Sequence, residues 1–325
     1  MHMKLLFELS GEHPDLPKAE LFSVLSSEGV SCKVVYEWDK VLVLETDSSR
    51  TDYLTRPGMT LKAGKNPIIT KSAWEVADKL SSLIPKDRSM AVRSKSHTLE
   101  QEIGAEFYLM GYVIDLEEPD EKVIAYRTWE GFLAAVNIPL KRDFSKRRPQ
   151  FRPYFHPTSM HPKLARALVN LANVKKGSVV LDPFCGTGGI LIEAGLMGMH
   201  LKGSDIDSRM VSGCRRNMEL YGLFGELEKS NALEIPQIYE KVDAIVTDPP
   251  YARCSYVSEG RSDMGGFYEK FLESAGKVLK PGGRLVMMLP KQYHVEYKGY
   301  TLMQEHYIKV HKSLTRRIIV LEKSL

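Results

Sequence analysis

The 325 residues leave room for two or three domains with a packed core, and 43% hydrophobic with 26% charged residues is the balance of a soluble globular protein. A net charge of +4 is too small to argue for nucleic acid, and no apolar run reaches the roughly 18 residues of a membrane span. The cysteines Cys32, Cys185, Cys214 and Cys254 form no CxxC pair, which supports neither a zinc ribbon nor a disulfide framework. The chain is therefore expected in a reducing cytoplasm, without membrane or resident metal.

In chain order, residues 4–9 alternate as an apolar strand. Residues 14–27 read as a helix with Leu16, Leu21, Val24 and Leu25 inward, ended by Gly29. Residues 32–36 and 41–45 read as two strands about the turn at Trp38-Asp39-Lys40, so the chain opens on a small α+β unit. Between 51 and 71 no acid follows Asp52, while Arg56, Lys62, Lys65 and Lys71 accumulate. This is a basic face in an acidic half, since residues 1–140 carry 16 Lys and Arg against 22 Asp and Glu. Helices are expected at 72–84 and 99–112, and strands at 89–93, 122–126 and 131–139.

Residues 141–155 carry six basic residues against one acid, interleaved with Phe144, Phe151, Tyr154 and Phe155. Such a stretch suits phosphates and stacked bases, and equally a solvated linker whose aromatics anchor it to both neighbours. After a helix at 162–174 the pattern changes to alternation: strands at 178–182, 200–205, 226–230, 242–248 and 284–289, and helices at 189–197, 207–221 and 265–278. This is the signature of a doubly wound sheet. Strands at 307–310 and 318–322 are joined too closely for a crossover, so they form an antiparallel hairpin.

Two turns of this sheet carry chemistry. The first strand runs into Asp182-Pro183-Phe184-Cys185-Gly186-Thr187-Gly188-Gly189 and then a helix. There is no Gly-Lys-Ser/Thr, so a P-loop is excluded, and Leu191 breaks the dinucleotide fingerprint. Asp182 repels a pyrophosphate and suits an ammonium group. Asp205, ending the next strand, suits ribose hydroxyls; Ile206 can pack on an adenine, and Asn231 can pair with its edge. Together these groups match S-adenosylmethionine, although each alone is more often a packing or capping residue. The fourth strand ends in Asp248-Pro249-Pro250-Tyr251, a rigid turn of acceptors beside a stacking ring that suits the amino group of a planar base; by itself it is also an ordinary loop.

The motifs Asp182 to Gly189 and Asp248 to Tyr251 resemble the amino-methyltransferase group of Rossmann-like methyltransferases. Arg147-Arg148-Pro149 and the run from His156 to Arg166 resemble more narrowly the archaeal tRNA guanine-N2 methyltransferases acting on the guanine at tRNA position 10. The resemblance implies an α/β fold: a Rossmann-like methyltransferase sheet, mostly parallel with an antiparallel last strand, preceded by α+β ferredoxin-like and THUMP domains. The expected division is residues 1–55 as the ferredoxin-like region, 56–140 as the THUMP RNA-binding domain, 141–158 as the basic linker and 159–325 as the methyltransferase domain.

Catalysis is expected from Asp248, Pro249, Pro250 and Tyr251. The S-adenosylmethionine site is expected from His161, Asp182, Cys185, Gly186, Thr187, Gly188, Asp205, Ile206, Asn231, Ala232 and Asp248, with Cys185 as a small packing residue rather than a nucleophile. RNA contact is assigned to Arg56, Lys62, Lys65, Lys71, Arg93, Lys95, Lys146, Arg147, Arg148 and Arg152. The partner implied is tRNA, the chain is expected to be a monomer, and the need for a small zinc-binding activator subunit stays open. The alternatives are a DNA or ribosomal RNA amino-methyltransferase, a non-catalytic RNA-binding scaffold, which would have lost one of Asp182, Asp205 or Asp248, and a nicotinamide oxidoreductase, disfavoured by the glycine spacing.

Overall fold

The computed structural model describes residues 3–250, 264–311 and 314–325. The chain divides into two compact units. The first takes the residues up to Glu12, Gly29–Thr55 and Thr60–Lys141; the second takes His13–Glu28, Arg56–Met59 and Arg142–Leu325.

The first unit holds strands β1 (Met3–Leu9), β2 (Cys32–Trp38), β3 (Val41–Thr46), β4 (Thr60–Thr70), β5 (Met90–Arg93), β6 (Glu121–Thr128) and β7 (Gly131–Ile138) in one mixed sheet of order β2-β3-β1-β4-β7-β6-β5. Helices α2 (Ala73–Ser81) and α3 (His97–Leu109), both capped by serine side chains at Ser72 and Ser96, bury Val76, Leu80, Ile103 and Phe107 with Val123 and Val136 of this sheet. The charge pattern of residues 51–71 marks only a basic face, whereas the structure forms strand β4 there, in spite of Pro67. The structure accommodates Pro67 where the β4–β7 register shifts between Lys65 and Ile68, with Asn66 at φ 52°, so the missing donor falls in an irregularity.

Helix α1 (Leu16–Ser27) belongs to the second unit, where Leu16 joins the core formed by α4 (Pro162–Leu171). The sheet there comprises β8 (Val179–Asp182), β9 (His200–Asp205), β10 (Glu226–Lys229), β11 (Val242–Thr247), β12 (Leu279–Pro290), β13 (Tyr300–His311) and β14 (Leu314–Lys323). Its order is β10-β9-β8-β11-β12-β14-β13. Helices α5 (Gly189–Leu196), α6 (Ser208–Glu219) and α7 (Met264–Val278) alternate with the strands. Strands β8 and β11 are apolar on both faces because separate clusters cover them: Val180 and Val246 join α4 and α5, while Leu181 and Ile245 join α7. As expected, β14 runs antiparallel to both β12 and β13. Strand β12 begins earlier than expected, at Leu279, and β13 at Tyr300. No helix among the described residues is long and apolar enough to cross a membrane.

Candidate active site

Three neighbouring parallel strands end in carboxylates at one edge of the second sheet. Asp182, at the end of β8, is 1% exposed, and its Oδ1 accepts hydrogen bonds from Thr247 Oγ1 at 2.7 Å and Phe184 N at 3.1 Å. Burial pushes its carboxyl up to about 7 against those bonds, and the charges of Asp205 and Asp248 add to the rise. Asp205, at the end of β9, accepts Gly186 N on Oδ2 and Asp207 N on Oδ1, each at 3.0 Å; burial raises it as well. Asp207 instead caps α6 through Arg209 N at 2.8 Å, and its side-chain bonds to Arg209 hold it down at about 2.

The glycine turn is tied to these carboxylates. Gly186 has φ 48° and Gly188 φ 83°, and a Cβ at Gly188 would lie 2.7 Å from Cys214 Sγ, so conformation and space both require glycine. Cys185 is buried beneath the turn, where its bond to Cys214 and burial push the thiol up. Such a thiol is a poor nucleophile and a good filler.

Asp248, Pro249 and Pro250 follow β11 and line the same cavity as Asp182 and Asp205. The Pro250 carbonyl accepts the Tyr268 hydroxyl from α7 at 2.9 Å, and Asp248 Oδ2 lies 3.2 Å from Arg316 Nη1 of β14. Tyr251, the aromatic of the expected tetrad, lies outside the described residues, as does Cys254.

The cavity measures about 480 Å³ and also exposes Gly186, Thr187, Ile206, Asn231 and Ala232. Its chemistry suits a ligand bearing a cation, hydroxyls and a flat base. His161 is placed elsewhere: it does not line the cavity, and its Nδ1 accepts Lys163 N at 3.3 Å as the cap of α4. The cavity wall is completed by residues not among those expected at the site: Thr158, Ser159 and Met160, from the run His156 to Arg166, together with Met210 and Phe267. Ser159 Oγ lies 2.8 Å from Thr187 Oγ1, and fully buried Asn217 of α6 donates to Thr187 O at 2.9 Å while exchanging two 2.8 Å bonds with the Tyr154 backbone. The available signal was a polar Asn217 on the apolar side of α6, beside Cys214 and Met218.

The basic residues divide into two sets. Arg56, 8% exposed, is committed to Glu28 Oε1 at 2.6 Å and Val174 O at 2.8 Å. Arg147 forks onto Glu193 of α5 at 2.8 and 3.1 Å, Arg166 meets the same carboxylate at 2.7 Å, and Arg152, 5% exposed, donates to Arg147 O. These observations correct the expectation for Arg56, Arg147 and Arg152, whose guanidiniums are engaged inside the fold rather than presented to phosphate. Lys62 and Lys95 both pair with buried Glu8, at 3.2 and 2.7 Å, although Lys95 stays 72% exposed. Lys71 donates to Glu130 O and Arg93 to Leu116 O. Lys65, Lys146 and Arg148 are exposed. Among the described residues no group of three or more His, Cys, Asp or Glu side chains is placed to hold a metal.

Over 99% of its length the chain is 38% identical to the tRNA (guanine(10)-N2)-dimethyltransferase of Methanothermobacter thermautotrophicus, and covers all of that relative. The chain belongs to this dimethyltransferase family. The relative of the same description from Methanocaldococcus jannaschii is 36% identical over 98% of this chain and 99% of its own length. The family described as RMKL-like, methyltransferase domain, matches residues 149–318, which include Asp182, Asp205 and Asp248; a DNA methylase family matches residues 66–215. Among solved structures, TrmN from Thermus thermophilus covers 98% of the chain and 99% of its own at a TM-score of 0.58 and 22% identity, which supports the α/β fold. The methyltransferase class expected from the motifs is that of the family.

Proposed function

We propose that the chain transfers methyl groups from S-adenosylmethionine to the exocyclic N2 amine of the guanine at position 10 of tRNA, giving the mono- and then the dimethylated base. The observation that carries this reading is one cavity lined by both Asp182 with Asp205 and the Asp248-Pro249-Pro250 turn, so that a cofactor end and an amine-holding end share one space. In this reading Asp182 receives the ammonium group, Asp205 the ribose hydroxyls, oriented by the Gly186 and Asp207 amides, and Ile206 and Ala232 flank the adenine. When bound, S-adenosylmethionine supplies an electrophilic methyl group on its sulfonium.

An aromatic amine is a weak nucleophile because its lone pair is delocalised into the ring. The Asp248 carboxylate and the Pro249 carbonyl accept its hydrogens and favour a more pyramidal nitrogen, with Tyr251 assigned to stacking on the base. Positioning and electrostatics carry most of the acceleration. The proton leaves after the N–C bond forms, because the amine becomes acidic only then. A paired guanine must first leave its stack, at a cost of a few kcal/mol that contacts in the cavity offset.

The first unit is read as the ferredoxin-like region with a THUMP RNA-binding domain, and the enzyme as a cytoplasmic, metal-free monomer. Activity of the purified chain alone tests this against a need for an activator subunit. The deciding experiment is transfer of labelled methyl to an unmodified tRNA transcript and to one with guanine 10 replaced. Label is expected in the first and not the second, and Asp248→Ala should abolish transfer to the first. Undiminished labelling after the replacement defeats the site assignment. The match to a DNA methylase family keeps one rival, which labelling of duplex DNA without labelling of tRNA would favour.

A further inference from the structure

Because β14 runs opposite to β12, pairing Pro290 with Arg316 and Arg284 with Glu322, its first residues lie at the carboxyl ends of the parallel strands. That direction delivers Arg316 to the site edge. Its Nη1 is 3.2 Å from Asp248 Oδ2 and 3.9 Å from Met288 Sδ, and the two paired side chains are 20% and 16% exposed. Arg317, one residue on, turns to the other face, where it meets Glu305 Oε1 at 3.2 Å and Tyr293 O at 3.0 Å. Strand alternation therefore assigns the two arginines different surroundings.

We propose that Arg316 is a positioning residue for methyl transfer, whose guanidinium orients the Asp248 carboxylate. The inference rests on the amine-methylation reading above. Asp248 shares its cavity with Asp182 of β8, Asp205 of β9 and Asp207 beyond it, and carboxylates in one low-dielectric space disfavour one another's ionisation. A guanidinium from β14 offsets that repulsion and restricts the carboxylate's rotation. The Tyr268 hydroxyl on the Pro250 carbonyl holds the backbone of the same turn, so side chain and main chain are fixed from two different elements.

The test uses the full chain with unmodified tRNA transcript at saturating S-adenosylmethionine, comparing wild type with Arg316→Met and Arg316→Lys. Arg316→Met should lower kcat on the order of 10- to 100-fold and move the acid limb of kcat to higher pH, with the melting temperature and cofactor Kd close to wild type. Arg316→Lys, which keeps the charge and loses the planar guanidinium, should return the acid limb and recover part of kcat. An unchanged kcat in Arg316→Met overturns the proposal. So does a loss confined to KM for tRNA with an unmoved acid limb, which would mark Arg316 as a phosphate contact. If the Met variant does not fold, Arg316→Lys decides: a lowered kcat at unchanged cofactor Kd supports the proposal and a wild-type kcat overturns it. Wild-type protein that labels guanine 10 while the variants match it refutes the role of Arg316 alone; wild-type protein that fails to label it refutes the amine-methylation reading.

Discussion

Asp182 sits where ionisation opposes folding and serves a ligand. Its carboxyl is raised from an ordinary 3.8 to about 7, chiefly by burial. The stability it contributes is therefore complete below the unfolded value and is lost as the pH rises through about 7. Asp182→Asn keeps an Oδ1 acceptor for Thr247 Oγ1 and Phe184 N, so it should raise the melting temperature of the ligand-free protein at pH 8. At about 1.4 kcal/mol per unit, a displacement from 3.8 to about 7 corresponds to a gain on the order of 4 kcal/mol. The same variant should lose S-adenosylmethionine binding, because the ammonium loses its counter-charge. In wild type, calorimetric Kd should rise as the pH falls from 8 to 6, approaching about tenfold per unit below 7. A flat Kd across that range would separate Asp182 from the ligand. Asp182, Asp205 and Asp248 were legible in the sequence because each ends an apolar run in a repeating strand–helix order. Arg316 and Asn217 were not, because their roles depend on which distant element a strand or helix meets.

Between α4 and α5 a buried ionic cluster replaces what reads in sequence as an RNA-binding stretch. Glu193, 0% exposed, is met by Arg147 and Arg166, and Phe144 lies under both guanidiniums, with its centroid 4.7 and 5.6 Å away. Neighbouring Arg148 is exposed. Basic composition in residues 141–155 was visible, but which of two adjacent arginines turns inward depends on a partner carboxylate 46 residues later, and no local pattern carries that. Arg147→Ala should therefore act on stability. Removing one partner of a buried pair costs about 3 kcal/mol, read as a melting temperature lower by several degrees. Arg148→Ala should leave the melting temperature unchanged, weaken tRNA binding and reduce the slope of log K against log salt by about one. The reverse pattern, with Arg147→Ala changing only the salt slope, would place Arg147 on the RNA face. Strand β4 shows a similar limit, since Pro67 breaks the strand signal while the bulge that tolerates it depends on pairing with β7.

At the scale of the molecule, the second unit is assembled from three separate stretches of chain. Helical periodicity in residues 14–27 showed which side of α1 is buried, but not against what, so a linear reading kept α1 with the strands around it. In the structure Glu20 of α1 accepts Gly58 N at 2.7 Å, Met59 N at 2.8 Å and Asn170 Nδ2 of α4 at 2.7 Å, and Leu16 and Met59 lie fully buried in the core around Leu168 and Ile192. A chain of residues 142–325, although it holds every carboxylate of the cavity, lacks these parts. It leaves Asn170 without the Glu20 carboxylate and the Arg56 carbonyl it now meets, a loss of about 1–3 kcal/mol. It also uncovers core surface that Leu16 and Met59 fill, about 1.5–3 kcal/mol for each side chain. Against a typical stability of roughly 5–15 kcal/mol, that chain should melt far below the full protein, or without a cooperative transition by circular dichroism. Supplying S-adenosylmethionine should not restore the difference. A 142–325 chain that melts cooperatively within a few degrees of the full protein would show that α1 and residues 56–59 cover the core without stabilising it.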